Sequence, residues 1–289
     1  MLCPKGSAAM ILVTTAGKVG FEAARLLAQQ KQPVRALVRD PKKAASLAQL
    51  GVEVVEGDLD YVATIDVAMK DVSSVVLVSP ALPAQELKII ESAVRAGVDH
   101  VVKITSKASA DSPIARQRGQ AKIEQGLIAS GLGYTLLRNN AYMQNLFVVA
   151  PEIIKTGSFG SAARGGHVGM IDTRDVAAVA ATIAVNPAPH IAKTYWPTGP
   201  QSLSFADAAV VFSKVLGRPV TFHSLSFEKQ KRAFIELGFS ESLATMNAKA
   251  LGLFADGDYD YVTDDVALLL GRPARTFERF VTDYATAFS

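Results

Sequence analysis

Six short apolar runs, each followed by a segment with helical spacing, fill the first half of the chain and restrict the folds open to it. The runs are MILV at Met10–Val13, PVRALV at Pro33–Val38, Val52–Val55, VSSVVLV at Val72–Val78, His100–Ile104 and Tyr134–Leu137. Runs of this length without polar alternation read as strands buried on both faces. Between them, FEAARLLAQQ, Pro41–Leu50, Tyr61–Met69, Pro83–Ala96 and Pro113–Ala129 carry apolar residues at three- and four-residue intervals. Gly97 and Gly131 are placed as helix terminators and Ser112 as an N-cap. Strand and helix in strict alternation require right-handed crossovers and a parallel sheet covered on both faces. The spacing therefore predicts an α/β protein: a doubly wound dinucleotide-binding domain over residues 10–157 and a smaller, mainly helical substrate lobe over 158–289. The two are expected to interleave around residues 168–200.

Past Arg138 the alternation weakens. Asn140–Val149 reads as a helix, 158–166 as an irregular Gly-, Ala- and Ser-rich stretch, and Val168–Ile171 as a short apolar run. Thr173-Arg174-Asp175 caps a helix to Val185, and Thr194–Trp196 reads as an edge strand. Ser204 caps a helix to Leu216, Val220–His223 is a strand, and helices follow from Glu228, Ser240, Asp264 and Thr276.

Composition excludes several classes. Of 289 residues 49% are apolar and 20% charged, a globular balance, and the net charge of +3 comes without any basic run, so nucleic-acid binding is not indicated. The lone Cys3 rules out an internal disulfide and suits a reducing, cytoplasmic setting. No stretch approaches the roughly 18 apolar residues of a membrane span. The leader MLCPKGSAA lacks a signal-peptide core, and Met10 is a second candidate start. Four histidines, without paired spacing or a second cysteine, give no metal site.

The segment Met10–Gly20, MILVTTAGKVG, has the form strand, glycine-bearing turn, helix. A helix start presents unpaired N–H groups and a partial positive charge, on which a pyrophosphate can sit if no side chain intervenes. Gly17 leaves that approach open and Gly20 lets the helix pack against the strand, while Thr14 takes the place of the usual first glycine. Arg39 lies 19 residues past Gly20 at the end of the second strand. An acid there would hold the ribose 2′-hydroxyl of NAD; an arginine, flanked by Lys42 and Lys43, favours the 2′-phosphate of NADP, with Asp40 a counter-indication. Without a phosphate, Arg39, like Arg35, reads as a solvated charge. Asp58 is placed for the adenine amino group, or as an N-cap, and Leu59 for the ring. Ser79-Pro80 ends the fourth strand beside the first.

Together MILVTTAGKVG, PVRALVRDPKKA, VEVVEGDLD, VVLVSPA, VVKITSKASADSP, AKIEQGLIASGLGYTLLRNNAYMQNL and VTDDVALLLGRPARTFERFVTDY resemble, in order and spacing, the NmrA-like branch of atypical short-chain dehydrogenases/reductases. Within it the chain looks nearest to the bacterial NADPH-dependent quinone and triphenylmethane-dye reductases. The resemblance implies a Rossmann domain with a small helical lobe and NADPH as cofactor. It also implies contacts from Thr15, Ala16, Gly17, Lys18, Val19 and Gly20 to the pyrophosphate, and from Arg39 and Lys43 to the 2′-phosphate. Asp58 and Leu59 would meet adenine, Ser79 and Pro80 the central groove, and Thr105, Ser106, Asn139 and Asn140 the nicotinamide end.

Many relatives carry a Tyr-x-x-x-Lys proton relay on the sixth helix; here Arg116 and Gln120 stand at those positions, and neither can perform it. Ser106 and Lys107 remain as catalytic candidates, with Lys107, Tyr142 and Met143 toward substrate. Asp111, Asp172, Asp175 and Glu124 read as caps and surface charges, and Phe147 as core. The expected function is an NADPH-dependent oxidoreductase passing hydride to a conjugated, mainly apolar acceptor such as a quinone, dye or enone, as a monomer or homodimer. The alternative is a non-catalytic dinucleotide-binding redox sensor that meets a partner protein.

Overall fold

The computed structural model describes residues 10–80 and 82–289; Cys3 and the rest of the leader lie outside them. By contact the chain divides into two compact units. The first holds residues up to Ser112, Arg116–Asn139 and Thr173–Trp196; the second holds Pro113–Ala115, Asn140–Asp172 and Pro197–Ser289.

In the first unit the order is β1 (Met10–Val13), α1 (Lys18–Gln29), β2 (Val34–Val38), a 3-10 turn at Pro41–Ala44, α2 (Ala45–Gln49), β3 (Glu53–Glu56), α3 (Val62–Ala68), β4 (Val72–Leu77), α4 (Pro83–Ala96), β5 (His100–Thr105), α5 (Ala115–Ala129) and β6 (Gly133–Arg138). A 3-10 segment (Met143–Val149), α6 (Ala150–Thr156), β7 (Ser158–Ser161) and β8 (His167–Val168) belong to the second unit. The chain then returns to the first with α7 (Thr173–Val185) and β9 (Lys193–Tyr195). All six apolar runs form strands, and β9 joins them at the edge beside β6. The result is a seven-stranded parallel sheet in the order β3-β2-β1-β4-β5-β6-β9. Its direction of winding reverses between β1 and β4, the switch point at which open α/β sheets bind ligands outside the strand carboxyl ends. Leu12, Leu37, Val75, Leu77, Val101 and Leu136 join Ile65, Ile89, Ile90, Ile123 and Leu127 from the helices in one core.

The second unit continues with β10 (Leu203–Ser204), α8 (Phe205–Leu216), β11 (Thr221–Ser224), α9 (Phe227–Glu236), α10 (Glu241–Ala255), α11 (Asp265–Leu270) and α12 (Phe277–Asp283). Its core is aromatic: Phe159, Phe205, Phe212, Phe277, Phe280 and Phe288 are buried together, and Phe147 stacks on Phe288 at 5.5 Å. Ser204 closes a capping box with Asp207 at the start of α8.

Three segments differ from expectation. Residues 140–142 are not helical, because Tyr142 bridges to Ile171 and Met143 N–H donates to Ile171 C=O, so only a 3-10 turn from Met143 remains. The stretch at 158–166 is not wholly irregular, since β7 pairs in parallel with β11. In Val168–Ile171 only Val168 is in a strand, with His167, opposite β10.

Candidate functional site

The turn from β1 into α1 leaves the helix start free for an anion. Gly17 is the N-cap of α1; no side chain caps it, and no acid stands in the first turn. A Cβ on Gly17 would meet nothing within 4 Å, whereas one on Gly20 would lie 1.8 Å from the Thr15 carbonyl oxygen. Gly20 is thus required by packing, and Gly17 leaves open space before the helix. Thr14, in the place of a glycine, is buried and fastens β1 to the end of β4. Its Oγ1 donates to Val78 C=O at 2.7 Å and accepts from Val78 N–H at 2.9 Å, and Thr15 Oγ1 donates to the same carbonyl at 3.0 Å. A pyrophosphate fits this arrangement.

At the end of β2, Arg39, Lys42 and Lys43 are exposed, and none has an ion-pair partner among the described residues. The Asp40 carboxylate accepts from Lys42 N–H at 3.0 Å as the cap of the 3-10 turn, which accounts for an acid beside the three cations. Arg35 is not the solvated charge expected: it is buried, donates to the Ala68 and Lys70 carbonyls and pairs with Glu53 at 2.9 Å. Asp58 does not cap α3, whose N-cap is Tyr61; its carboxylate accepts from Asp60 N–H. Leu59 is turned into the core of the first unit.

Two buried polar clusters support the carboxyl ends of the central strands. At β4, Ser79 Oγ donates to Glu86 Oε1 at 2.5 Å, and Glu86 Oε2 lies 2.7 Å from Lys103 Nζ, both charges being fully buried. Lys103 also donates to Ile104 C=O at 2.6 Å. At β5 and β6, Glu124 accepts from Thr105 Oγ1 at 3.0 Å and pairs with Arg138 at 2.5 Å, and the Arg138 guanidinium lies 5.1 Å from the Trp196 ring centre. Glu124 is therefore no surface charge. Asp172 and Asp175 are also buried, and Asp172 accepts from Gln144 Nε2 at 2.8 Å. The partners of Glu86, Glu124 and Asp172 come from other segments of the chain, so no local spacing announced them.

Ser106 and Lys107 follow β5 and are half-buried. Asn139 Nδ2 donates to the carbonyls of Thr105 (3.2 Å) and Leu137 (3.0 Å), locking β5 to β6. Asn140 is engaged in the second unit, donating to Tyr259 C=O at 3.0 Å. There Tyr142 is half-buried and Met143 is 1% exposed within the aromatic core. On α5, Arg116 is exposed and Gln120 buried.

Among the described residues no group of three or more His, Cys, Asp or Glu is placed to hold a metal, and no helix is long and apolar enough to cross a membrane. A groove of about 550 Å³ lies between α4 and α5, lined by Leu87, Val94 and Ala129. It holds none of the candidate residues.

A seven-stranded parallel sheet with an open helix start at its switch point defines a dinucleotide-binding protein. Residues 7–280 match the NmrA-like family, to which the chain belongs. It is 38% identical over 287 residues to the NAD(P)H azoreductase of Xenophilus azovorans, covering 96% of this chain and 99% of that one. Its fold matches the NADPH-dependent quinone oxidoreductase of Escherichia coli in complex with NADPH, with a TM-score of 0.86, 28% identity, and 96% and 100% of the two chains covered. It also matches the triphenylmethane reductase of Citrobacter sp. complexed with NADP(H), with a TM-score of 0.84, 26% identity, and 94% and 99% covered.

Proposed function

We propose that this protein is an NADPH-dependent oxidoreductase that passes hydride to a conjugated, mainly apolar acceptor: a quinone, a cationic or azo dye, or an enone. The observation that carries the reading is the uncapped start of α1 at Gly17, together with three unpaired cations, Arg39, Lys42 and Lys43, at the end of the adjacent strand. The first suits a pyrophosphate and the second a 2′-phosphate. The acceptor class rests on the azoreductase, quinone and dye reductase relatives and on Arg116 and Gln120, which cannot relay a proton.

NADPH supplies the hydride, two electrons and a proton's nucleus moved as one unit. The chain's part is placement. In this reading residues 15–20 seat the pyrophosphate, Arg39 and Lys43 hold the 2′-phosphate, and Asp58 borders adenine. Ser79, held by Glu86, and Pro80 border the central groove, with Thr105, Ser106, Asn139 and Asn140 at the nicotinamide end. Lys107 is the proposed substrate residue of the first unit, and Tyr142 and Met143 are those of the second. An acceptor that delocalises the incoming charge needs no protein acid: a cationic dye ends neutral, and a quinone takes its remaining proton from water. Cytoplasmic residence and a monomeric or homodimeric state complete the reading.

The test is oxidation of NADPH and NADH by the purified protein with quinones, cationic dyes and azo dyes. Turnover with NADPH preferred, and that preference reduced in Arg39→Ala, is expected. Tight binding of both NADP⁺ and NADPH without oxidation by any acceptor would mark a dinucleotide sensor.

A further inference from the structure

Two amide oxygens in the first unit, Gln120 Oε1 and Asn139 Oδ1, are buried and meet no donor among the described residues. Their residues are 4% and 1% exposed. Buried carbonyl oxygens are nearly always paired, so these two orphans call for an explanation.

Their placement supplies one. As the crossover between parallel strands, α5 runs back along the sheet, with its N-terminal end toward the strand carboxyl ends. Glu124 on α5 bonds Thr105, the last residue of β5. Gln120 lies four residues earlier on the same helical face, one turn or about 5.4 Å nearer the ligand end of the sheet. Asn139 follows the last residue of β6, and its Nδ2 already donates to Thr105 C=O at 3.2 Å. That bond fixes the amide's orientation and leaves Oδ1 as the free acceptor. Both oxygens therefore flank the carboxyl end of β5.

We propose that Gln120, with Asn139, accepts hydrogen bonds from the nicotinamide nucleoside of the bound dinucleotide. The inference rests on the cofactor reading above. The nucleoside carries two donor groups of the right kind, the vicinal ribose hydroxyls and the carboxamide NH₂, and two acceptors await them. Gln120 is neutral and moves no proton; it orients the ring. It is a cofactor-binding residue that a search for the proton relay passes over.

The test is binding rather than turnover. Dissociation constants are measured by calorimetry for wild type and Gln120→Met with three ligands: NADPH, 2′-phospho-ADP-ribose and adenosine 2′,5′-bisphosphate. The bisphosphate lacks the whole nicotinamide nucleoside and should bind both proteins equally. NADPH should bind the variant about tenfold more weakly, the loss of one well-placed hydrogen bond. A matching loss with 2′-phospho-ADP-ribose assigns the donor to the ribose, and a loss with NADPH alone assigns it to the carboxamide. The unliganded variant should melt no lower than wild type, because an unpaired polar atom has been removed from its interior. Equal losses on all three ligands, no loss on any, or a lower melting temperature with unchanged affinity overturns the proposal. Gln120→Leu, read in the same way, serves if Gln120→Met does not fold. Wild type that fails to bind NADPH at all sinks the cofactor reading itself, and this inference with it.

Discussion

Thr14 holds both backbone groups of Val78, donating to its C=O at 2.7 Å and accepting from its N–H at 2.9 Å through one hydroxyl. The bond ties the ends of β1 and β4 together where the winding reverses, beside the turn that would carry the pyrophosphate. Thr14→Val keeps the shape and leaves the Val78 N–H unsatisfied. It should cost about 2 kcal/mol in urea unfolding and weaken NADPH binding. Unchanged stability would show that the clasp is not structural.

The two glycines of the turn should respond differently to alanine. In Gly20→Ala the new Cβ falls 1.8 Å from the Thr15 carbonyl oxygen, so the turn must shift and both melting temperature and NADPH affinity should drop. In Gly17→Ala the Cβ meets no protein atom within 4 Å, so stability should hold to within about 1 kcal/mol while NADPH affinity falls. Calorimetry and thermal melts on the two variants check this, and an undiminished affinity in Gly17→Ala would remove the pyrophosphate from this spot.

Lys103 and Glu86 form an ion pair at 2.7 Å with neither side chain in contact with water. Lys103→Met strands a buried carboxylate beside Ser79 and should cost about 3–5 kcal/mol. Adding Glu86→Gln should recover a large part of that loss, because the uncompensated charge is gone. Additive losses in a double-mutant cycle would deny the coupling.

His100 is 1% exposed, and its Nε2 lies 3.0 Å from Thr135 Oγ1. Burial first, and the charge of neighbouring His190 second, push its pKa down from 6.5 to about 4. The unfolded chain therefore binds this proton more readily than the folded one. Stability from the neutral ring is complete above about pH 6.5 and declines as pH falls toward 4, by at most about 3 kcal/mol. Unfolding free energies from pH 7 to pH 4 should show this slope and His100→Gln should flatten it; a slope unchanged in the variant would place it elsewhere.

The sheet was legible in the sequence because strands buried on both faces are continuous apolar runs, and all six identified themselves. The charges inside those runs were not. Arg35 within VRALV read as a solvated position and Lys103 within HVVKIT gave no signal of its own, because their partners, Glu53 and Glu86, come from other elements and no local pattern announces them. Glu124 was lost for the same reason, since Arg138 and Thr105 reach it from two different strands. The open turn at Gly17 was readable because its chemistry is local: strand, turn and helix are consecutive. Residues 140–142 misled because their helical composition is overridden by pairing with Ile171, about 30 residues away.

In the proposed reaction hydride passes directly from NADPH to a conjugated acceptor without a protein acid. The most direct measurement is reduction of a triphenylmethane dye by the protein with NADPH deuterated at C4 of the nicotinamide, followed by mass spectrometry of the leuco dye. Deuterium is expected on the central carbon of the dye, from one C4 face only, and none taken from the solvent when the reaction is run with ordinary NADPH in deuterated water. Solvent deuterium on that carbon, or no leuco dye above the uncatalysed background, would contradict direct transfer.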